Sequence, residues 1–528
     1  AKRAGYDIIY VYAGHNLTLL MKFLSARYNR RQDEYGGSLE NRVRLLKEVL
    51  IDTKEAVGDT CAVALRLSVD ELMKSSGLRC EDEGREIVSM LADIPDLWDV
   101  NLSGWENDTQ ASRWAKEGYQ EDYIRFVKKV TNKPVVGVGR FTSPDTMASM
   151  VKRGILDLIG AARPSIADPF LPNKVKEGRS DEIRECIGCN MCVIGDFKAV
   201  PIRCTQNPTM GEEFRKGWHP EKIEPALSED KILIVGAGPA GLECALALAN
   251  RGYEVTLAEK NKTLGGRVQS ESTHLPGLQE WIRVADYRIQ LLNRHPKVNI
   301  YRDSDLTPQD ILDFGFDRIV LATGARWRDD GLGRHNCEKI PVCDDSKIFS
   351  VNDVLKGNLP EAGQSVVIYD DDHYYMANCI AEKLQDHGCN VIYITTESRV
   401  AGWSEQTLEQ NRIQSKLMQM NIDIIFSKKL IKVVQGKFHL ECNYTGRMTE
   451  IKADYFLPVT SQRPNDALYQ DYLSRREIYH AAGIKEVVAI GDCYAPAPIA
   501  HAVYAGHQYA RQLDNPTDIS TNFKRENT

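Results

Sequence analysis

The chain has no apolar run long enough to cross a bilayer, and its first residues do not have the pattern of a secretory signal. Those two absences set the membrane aside and make the cytoplasm the expected compartment. A strong excess of one charge is also lacking. Its 67 Lys and Arg against 74 Asp and Glu give a formal net charge of −7, which favours solubility and offers no footing for nucleic acid. Nor do the 13 cysteines suggest a secreted disulfide framework, because their number is odd and they are spread along the chain. What remains is a 528-residue chain, 42% apolar and 27% charged, of ordinary globular composition. It is too long for one core, so two to four domains are expected. One irregularity breaks this plain background: four cysteines fall within the 19 positions from 186 to 204.

Up to about residue 180, short apolar strand candidates alternate with helical stretches. The strands are 6–12, 61–67, 97–102, 134–138 and 156–160, with helices such as 39–57 and 142–153 between them. Repeated strand–helix units whose strands are apolar on both faces predict a buried parallel sheet. Five strands suit a doubly wound sheet, whereas a closed barrel needs eight. The strand ends favour the barrel. Tyr12, Gly14 and His15, then Arg66, Asn101, Gly139 with Arg140, and Arg163 stand at the carboxyl-terminal edge, where barrel enzymes place their chemistry. The last two strands run into Gly137-Val138-Gly139-Arg140 and Gly160-Ala161-Ala162-Arg163-Pro164. Glycine turns and arginines after the seventh and eighth barrel strands make a phosphate cradle, which fits a cofactor such as FMN. Strand 6–12 is then the fourth, and residues 1–5 read as the end of a helix, so truncation of a larger barrel is expected.

Thiolates two residues apart can converge on one metal centre. Cys186-x2-Cys189-x2-Cys192-x11-Cys204 has the ferredoxin-like spacing that wraps a [4Fe–4S] cubane, with Gly188 and Asn190 suited to the tight turns. Zinc more often takes two separated CxxC pairs. One cluster carries one electron at a time, so it would split a two-electron flavin oxidation into single steps. Cys61, Cys80, Cys244, Cys337, Cys343, Cys379, Cys389, Cys442 and Cys493 have no ligand-like grouping and read as small buried hydrophobes or idle thiols.

After a polar, proline-containing linker at 212–230 comes a strand at 231–235, then Gly236-Ala237-Gly238-Pro239-Ala240-Gly241, a helix to 250 and a strand ending at Glu259. The glycines allow close approach of a pyrophosphate, and Glu259, 18 residues past Gly241, can hold a ribose hydroxyl. Gly265-Gly266-Arg267, Thr323-Gly324 and Gly491-Asp492 continue the pattern of flavoproteins with two dinucleotide domains. Because the last of these returns so late, one domain is discontinuous and another is inserted in it. The insert opens with a good strand at 365–369. Where its glycines should stand, the sequence is Asp370-Asp371-Asp372-His373-Tyr374. Three carboxylates would repel a diphosphate and the bulky residues would block it, so this domain is not expected to bind NAD(P)H.

The stretches Tyr10-Val11-Tyr12-Ala13-Gly14-His15, 28–42 (Tyr-Asn-Arg-Arg-Gln-Asp-Glu-Tyr-Gly-Gly-Ser-Leu-Glu-Asn-Arg), 162–170 and Cys186-Ile187-Gly188-Cys189-Asn190 carry a family resemblance. The whole chain resembles the trimethylamine, dimethylamine and histamine dehydrogenases, from the middle of their flavin barrel to near the C-terminus. The implied fold class is α/β: the C-terminal part of an FMN-binding (β/α)8 barrel, strands four to eight, over 1–185, then a cluster segment and linker at 186–228. A dinucleotide-binding Rossmann-like domain at 229–345, completed by 475–528, and a degenerate NAD-like insert at 346–474 follow. The resemblance also implies a covalent 6-S-cysteinyl FMN tethered by a cysteine outside this segment, one [4Fe–4S] cluster, and ADP more than FAD in the glycine-rich site. It further implies a homodimer that oxidatively deaminates a small amine and passes single electrons to an electron-transfer flavoprotein or another one-electron acceptor.

Carried over by position, the resemblance gives Tyr12, His15 and Asp108 as a hydrogen-bonded catalytic trio and Trp105 as a wall of the substrate bowl, where a ring face can hold a cation. Arg66 would lie against the flavin pyrimidine edge, and Gly139, Arg140 and Arg163 would serve its phosphate. Gly236, Gly238, Gly241, Glu259, Gly266, Arg267, Thr323, Gly324 and Asp492 would serve the second nucleotide. One departure bears on the substrate. A tryptophan shortly after the third cluster cysteine completes the bowl of the trimethylamine enzyme, and here Asp196 falls there. A carboxylate suits a substrate with a second cationic or polar group such as imidazole, which points to histamine; a register shift of one would put Phe197 in the bowl instead. Trimethylamine or dimethylamine oxidation and an NADPH-dependent dienoyl-CoA or enoate reductase are the competing functions.

Overall fold

A computed structural model describes residues 1–343 and 346–514. They fall into two compact units, residues 1–165 and the chain from 166 onward. The expected domain limit at 345 and the tail at 515–528 lie outside the described residues.

The first unit holds β1 (Ile8–Ala13), β2 (Ala62–Asp70), β3 (Leu97–Leu102), β4 (Val135–Gly137) and β5 (Leu158–Ile159) in one parallel sheet. Its spatial order is β1-β2-β3-β4-β5. Each strand lies beside its predecessor in the chain, with no reversal of direction. A doubly wound sheet has such a reversal; a barrel does not. The helix Leu39–Val57 is capped by the Ser38 hydroxyl, which accepts from Asn41 N, and turns Val43, Leu46 and Leu50 into the core. There they join the cluster that includes Leu65, Leu67, Trp98 and Val100. The strand read at 61–67 runs on to Asp70, because its polar end is buried but satisfied. Ser68 Oγ donates to Asn101 Oδ1 (2.7 Å), and Asp70 accepts from the backbone N–H groups of Leu72 and Cys80.

The second unit begins its sheets with β6 (Lys231–Val235), β7 (Glu254–Ala258), β8 (Val298–Tyr301) and β9 (Arg318–Leu321). The chain then leaves through β10 (Ala325–Trp327) and builds β11 (Lys347–Ile348), β12 (Ser365–Asp370), β13 (Asn390–Thr395) and β14 (Asp423–Ile425). A small antiparallel sheet of β15 (Lys428–Val434), β16 (Lys437–Cys442) and β17 (Met448–Lys452) precedes β18 (Tyr455–Val459). It returns through β19 (Gln462–Pro464), antiparallel to β10, and closes with β20 (Glu486–Ala489). Two parallel five-stranded sheets result, ordered β20-β9-β6-β7-β8 and β11-β18-β12-β13-β14. In both, the sheet opens on a strand–turn–helix unit: the helices Pro239–Arg251 and Met376–Asp386 follow β6 and β12. Cys61, Cys80, Cys244, Cys379, Cys389 and Cys493 are buried, as small hydrophobes are, while Cys337 and Cys343 are exposed. Among the described residues no helix is long and apolar enough to cross a membrane.

Candidate active site and cofactor sites

In the first unit the strand ends bring one polar chain together. His15 follows β1 and is 4% exposed; its Nδ1 meets the Tyr12 hydroxyl and its Nε2 lies 2.8 Å from Asp108 Oδ2. A carboxylate only accepts. Asn101 Nδ2 lies 2.9 Å from the same Nε2, so that nitrogen faces both an amide donor and a carboxylate, while Nδ1 faces the Tyr12 hydroxyl. Trp105 opens the short helix Trp105–Asp108 after β3, and its ring lies 6.4 Å from that of His15, edge to face. Asp108 is held in turn by Gln120 Nε2 (2.6 Å). The Tyr12 hydroxyl is pushed above its usual range by burial; Arg66 pulls it back, and Asp108 and Asp99 push it further. His15, Ser103 and Arg140, which follow β1, β3 and β4, are non-glycine residues with left-handed backbones (φ 55°, 41° and 58°). Such strain collects where side chains must be aimed.

Arg66, on β2, contacts Asp99 Oδ2 (3.3 Å) and Asp108 Oδ2 (3.6 Å). Burial pushes the Asp99 carboxyl up, with Arg66 opposing and Asp108 adding. Among the described residues, Arg66 Nε and Asp99 Oδ1 are buried without a hydrogen-bond partner. A donor and an acceptor left over at a barrel edge ask for a polar ligand, and the flavin pyrimidine edge offers both functions. Gly139 lies beside Gly118, Arg140 is 5% exposed, and Arg163 gives Nη1 to the Gln110 carbonyl (2.9 Å). Ser68, Asp99 and Gln120 belong to this network and were not singled out in the sequence. Period-two spacing from Arg66 could have found Ser68, but nothing local marks Gln120.

In the second unit the cysteine segment is anchored by Asp168, fully buried, which accepts from Lys174 Nζ (2.7 Å) and Arg184 N (3.0 Å). Gly188 and Asn190 take the left-handed turns their positions require (φ 62° and 55°). Backbone N–H groups of Gly188 and Gln206 point at Cys186 and Cys204 sulfurs (both 3.4 Å), and Thr205 Oγ1 meets Cys189 Sγ (3.2 Å). Burial pushes the thiols of Cys189, to about 11, and Cys204 upward, and Cys186 adds to both. The four thiols are half-buried and close enough for Cys186, Cys189 and Cys192 to act on Cys204, and thiol donors gathered in this way fit a metal cluster. The loop is fastened from behind: Arg288 donates to Gln206 Oε1 (2.9 Å) and its carbonyl (3.0 Å), and to Glu243 (2.7 Å). Cys192 lies in the helix Met191–Phe197, and Asp196, near its end, is exposed.

The turn after β6 is glycine-lined and open at the helix N-terminus. Gly236 has φ 105°, and a Cβ on Gly241 would stand 1.9 Å from the Gly236 carbonyl. A Cβ on Gly238 would meet only Gly266 Cα, at 4.0 Å, so open space remains for a phosphate at the helix N-terminus. Glu259 spends both oxygens on this turn, accepting from Ala237 N (2.8 Å) and from Asn261. Arg267 is engaged on every side by Glu271, Asp492, the Ala497 carbonyl and the Tyr375 hydroxyl. Thr323 Oγ1 donates to the Asn465 carbonyl (2.6 Å), and Gly324 O accepts from Asn465 N, so this pair ties β9 to the returning chain. The turn after β12 differs from the expected repelling array. Asp370 and Asp371 are fully buried: Asp370 takes Tyr393 OH (2.5 Å) and His373 N (2.9 Å), and Asp371 takes His335 N (2.8 Å). The carboxylates fill the cradle and are satisfied inside it.

Residues 1–182 match the NADH:flavin oxidoreductase / NADH oxidase family, and residues 230–508 the pyridine nucleotide-disulphide oxidoreductase family. The chain is 39% identical to the dimethylamine dehydrogenase of Hyphomicrobium sp. (strain x), over 98% of this chain and 73% of that one. The structure of histamine dehydrogenase from Rhizobium sp. 4-9 superposes with a TM-score of 0.97 at 47% identity, covering 100% of this chain and 77% of that chain. That of 6-hydroxypseudooxynicotine amine oxidase from Pseudomonas geniculata N1 gives 0.93 at 48%, covering 97% and 76%. A flavin barrel with the Tyr12–His15–Asp108 chain at its edge, followed by two Rossmann-like sheets, therefore belongs to the trimethylamine, dimethylamine and histamine dehydrogenase family of flavoprotein amine dehydrogenases.

Proposed function

We propose that the chain oxidatively deaminates histamine or a related primary amine to an aldehyde and ammonia, and that the electrons leave singly to an electron-transfer flavoprotein or similar acceptor. The observation that carries this reading is the half-buried hydrogen-bonded chain Tyr12–His15–Asp108 beside the Trp105 ring. When bound, FMN supplies the two-electron acceptor and a [4Fe–4S] cluster the one-electron outlet. Arg66, Gly139, Arg140 and Arg163 would hold the first, and Cys186, Cys189, Cys192 and Cys204 the second. Gly236, Gly238, Gly241, Glu259 and Gly266 would cradle ADP, with Arg267, Thr323, Gly324 and Asp492 bracing that cradle. The four-part division of the chain, the covalent flavin link outside this segment and a homodimer belong to the same reading.

An amine must lose its ammonium proton before its carbon–nitrogen bond can be oxidised. Trp105 offers a ring face to the arriving cation. Tyr12 stays protonated in this partly buried setting and so relays a proton instead of holding a charge. His15 takes that proton at Nδ1 while its Nε2 stays against Asp108, and Gln120 keeps Asp108 in register. Asp196 would hold the distal imidazole of histamine.

Anaerobic bleaching of the flavin by histamine but not NADPH is the expected result, with Asp196→Ala losing far more activity on histamine than on a simple alkyl amine. His15→Ala should lower kcat/KM by about 10²- to 10⁴-fold. Equal loss on both amines would remove Asp196 from the reading, and bleaching by NADPH alone would replace the reading with a reductase.

A further inference from the structure

At the end of β12 the chain turns through Asp371 and His373, which are 0% and 3% exposed, and His335 joins them from a neighbouring loop. Asp371 Oδ1 lies 3.0 Å from His335 Nδ1 and 3.3 Å from His373 Nε2. The three donor atoms all fall within 4.8 Å of one another. Thr396 Oγ1 stands on the same spot, 3.0 Å from His335 Nδ1 and 3.2 Å from His373 Nε2. Ligands about 2.0–2.1 Å from a tetrahedral zinc-sized ion are roughly 3.3 Å apart, close to the two distances from Asp371 Oδ1.

The surroundings aim these donors. Asp371 Oδ2 accepts from His335 N (2.8 Å) and Asn336 N (3.4 Å), which turns Oδ1 toward the two rings. Only glycine at 333 allows this, since a Cβ there would stand 2.3 Å from that carboxylate oxygen. His373 has a left-handed backbone (φ 62°), and its other nitrogen faces Asp370 Oδ2 (3.7 Å) and the Thr395 hydroxyl (3.5 Å). A carboxylate behind a histidine is the usual outer support of a metal ligand. Two imidazoles and one carboxylate suit borderline divalent ions such as zinc better than calcium or magnesium. The exposed flank of His335 leaves a way in.

We propose that His335, Asp371 and His373, with the Thr396 hydroxyl on the fourth side, bind a divalent transition-metal ion of the zinc class. The ion would pin the loop that carries His335 to the end of β12, at the turn a pyrophosphate occupies in an NAD(P)H domain. A site built for an anion would thus have become a site for a cation.

The test uses the full holoenzyme, stripped with a chelator and titrated with Zn²⁺ by calorimetry, with zinc X-ray absorption on the loaded protein. One Zn²⁺ per chain with a Kd near 1 μM or tighter is expected. Its shell should contain nitrogen and oxygen with imidazole scattering and no sulfur, which separates it from zinc on the cysteine segment. His335→Gln, at the exposed rim, and His373→Gln should each weaken binding at least about tenfold, with iron content and flavin spectrum unchanged. Wild-type binding weaker than about 100 μM, sulfur in the shell, or undiminished affinity in His335→Gln would overturn the proposal. If His373→Gln does not fold, His335→Gln decides.

Discussion

The turns after β6 and β12 start from the same architecture and end with opposite chemistry. Each follows the central strand of a parallel five-stranded sheet and leads into a helix. After β6, Gly236 and Gly241 let the backbone close on itself, and Gly238 leaves open space at the helix N-terminus. After β12, buried carboxylates and His373 fill the corresponding place and satisfy one another. The sheet and helix decide where a ligand could go; the few residues of the turn decide whether it is an anion, a cation or none. Arg267 and Tyr375 link the two turns, since the Arg267 guanidinium reaches the hydroxyl of the residue that precedes the second helix.

The largest expected effect comes from breaking that link. Arg267→Ala leaves the buried carboxylates of Glu271 and Asp492 without their cation, and a loss of about 3–5 kcal/mol in chemical denaturation is expected. Next is Gly241→Ala, whose added Cβ meets the Gly236 carbonyl at 1.9 Å. Overpacking against backbone should cost about 1–3 kcal/mol or more, together with affinity for the adenine nucleotide proposed for this turn.

Gly238→Ala sharpens the contrast, because its Cβ enters only the space reserved for a ligand. Stability without nucleotide should stay at the wild-type value while nucleotide affinity falls about tenfold, close to 1.4 kcal/mol. The acidic side carries a pH-dependent effect. Burial, with Asp370 beside it, raises the Asp372 carboxyl to about 7. The folded state then holds a proton that the unfolded chain releases near pH 4, so stability falls as pH rises from about 4 to 7. Asp372→Asn should remove that decline and raise stability above pH 7, in thermal melts run from pH 4 to 8.

Periodicity and turn chemistry made much of this legible in advance. The strand at 97–102 and the helix at 39–57 have the predicted bounds, since apolar spacing and the Ser38 cap are local signals. β2 extends past its apolar run because Ser68 and Asp70 find partners on β3 and on the following loop, which no local pattern announces. At the barrel edge, Tyr12, His15 and Arg66 were visible as polar residues at strand ends, but Gln120, which steadies Asp108, comes from a later segment. From sequence alone, the acidic turn reads as three carboxylates and bulky residues that repel and block a diphosphate. Burial of Asp370 and Asp371, and the arrival of His335 from 36 residues upstream of Asp371, changed its meaning.

By itself, the sequence determined which ligand types each turn can accept, because glycine, thiol and carboxylate chemistry is carried in a few adjacent positions. It also determined the family, through spaced motifs between residues 10 and 190. Only the tertiary structure decided which distant groups share a site: His15 with Asp108, Gln206 with Arg288, and His335 with Asp371 and His373. The reason is physical. Local sequence sets backbone preference and side-chain chemistry within a turn or two, whereas hydrogen bonds and shared buried charge depend on distances that exist only once separate elements pack.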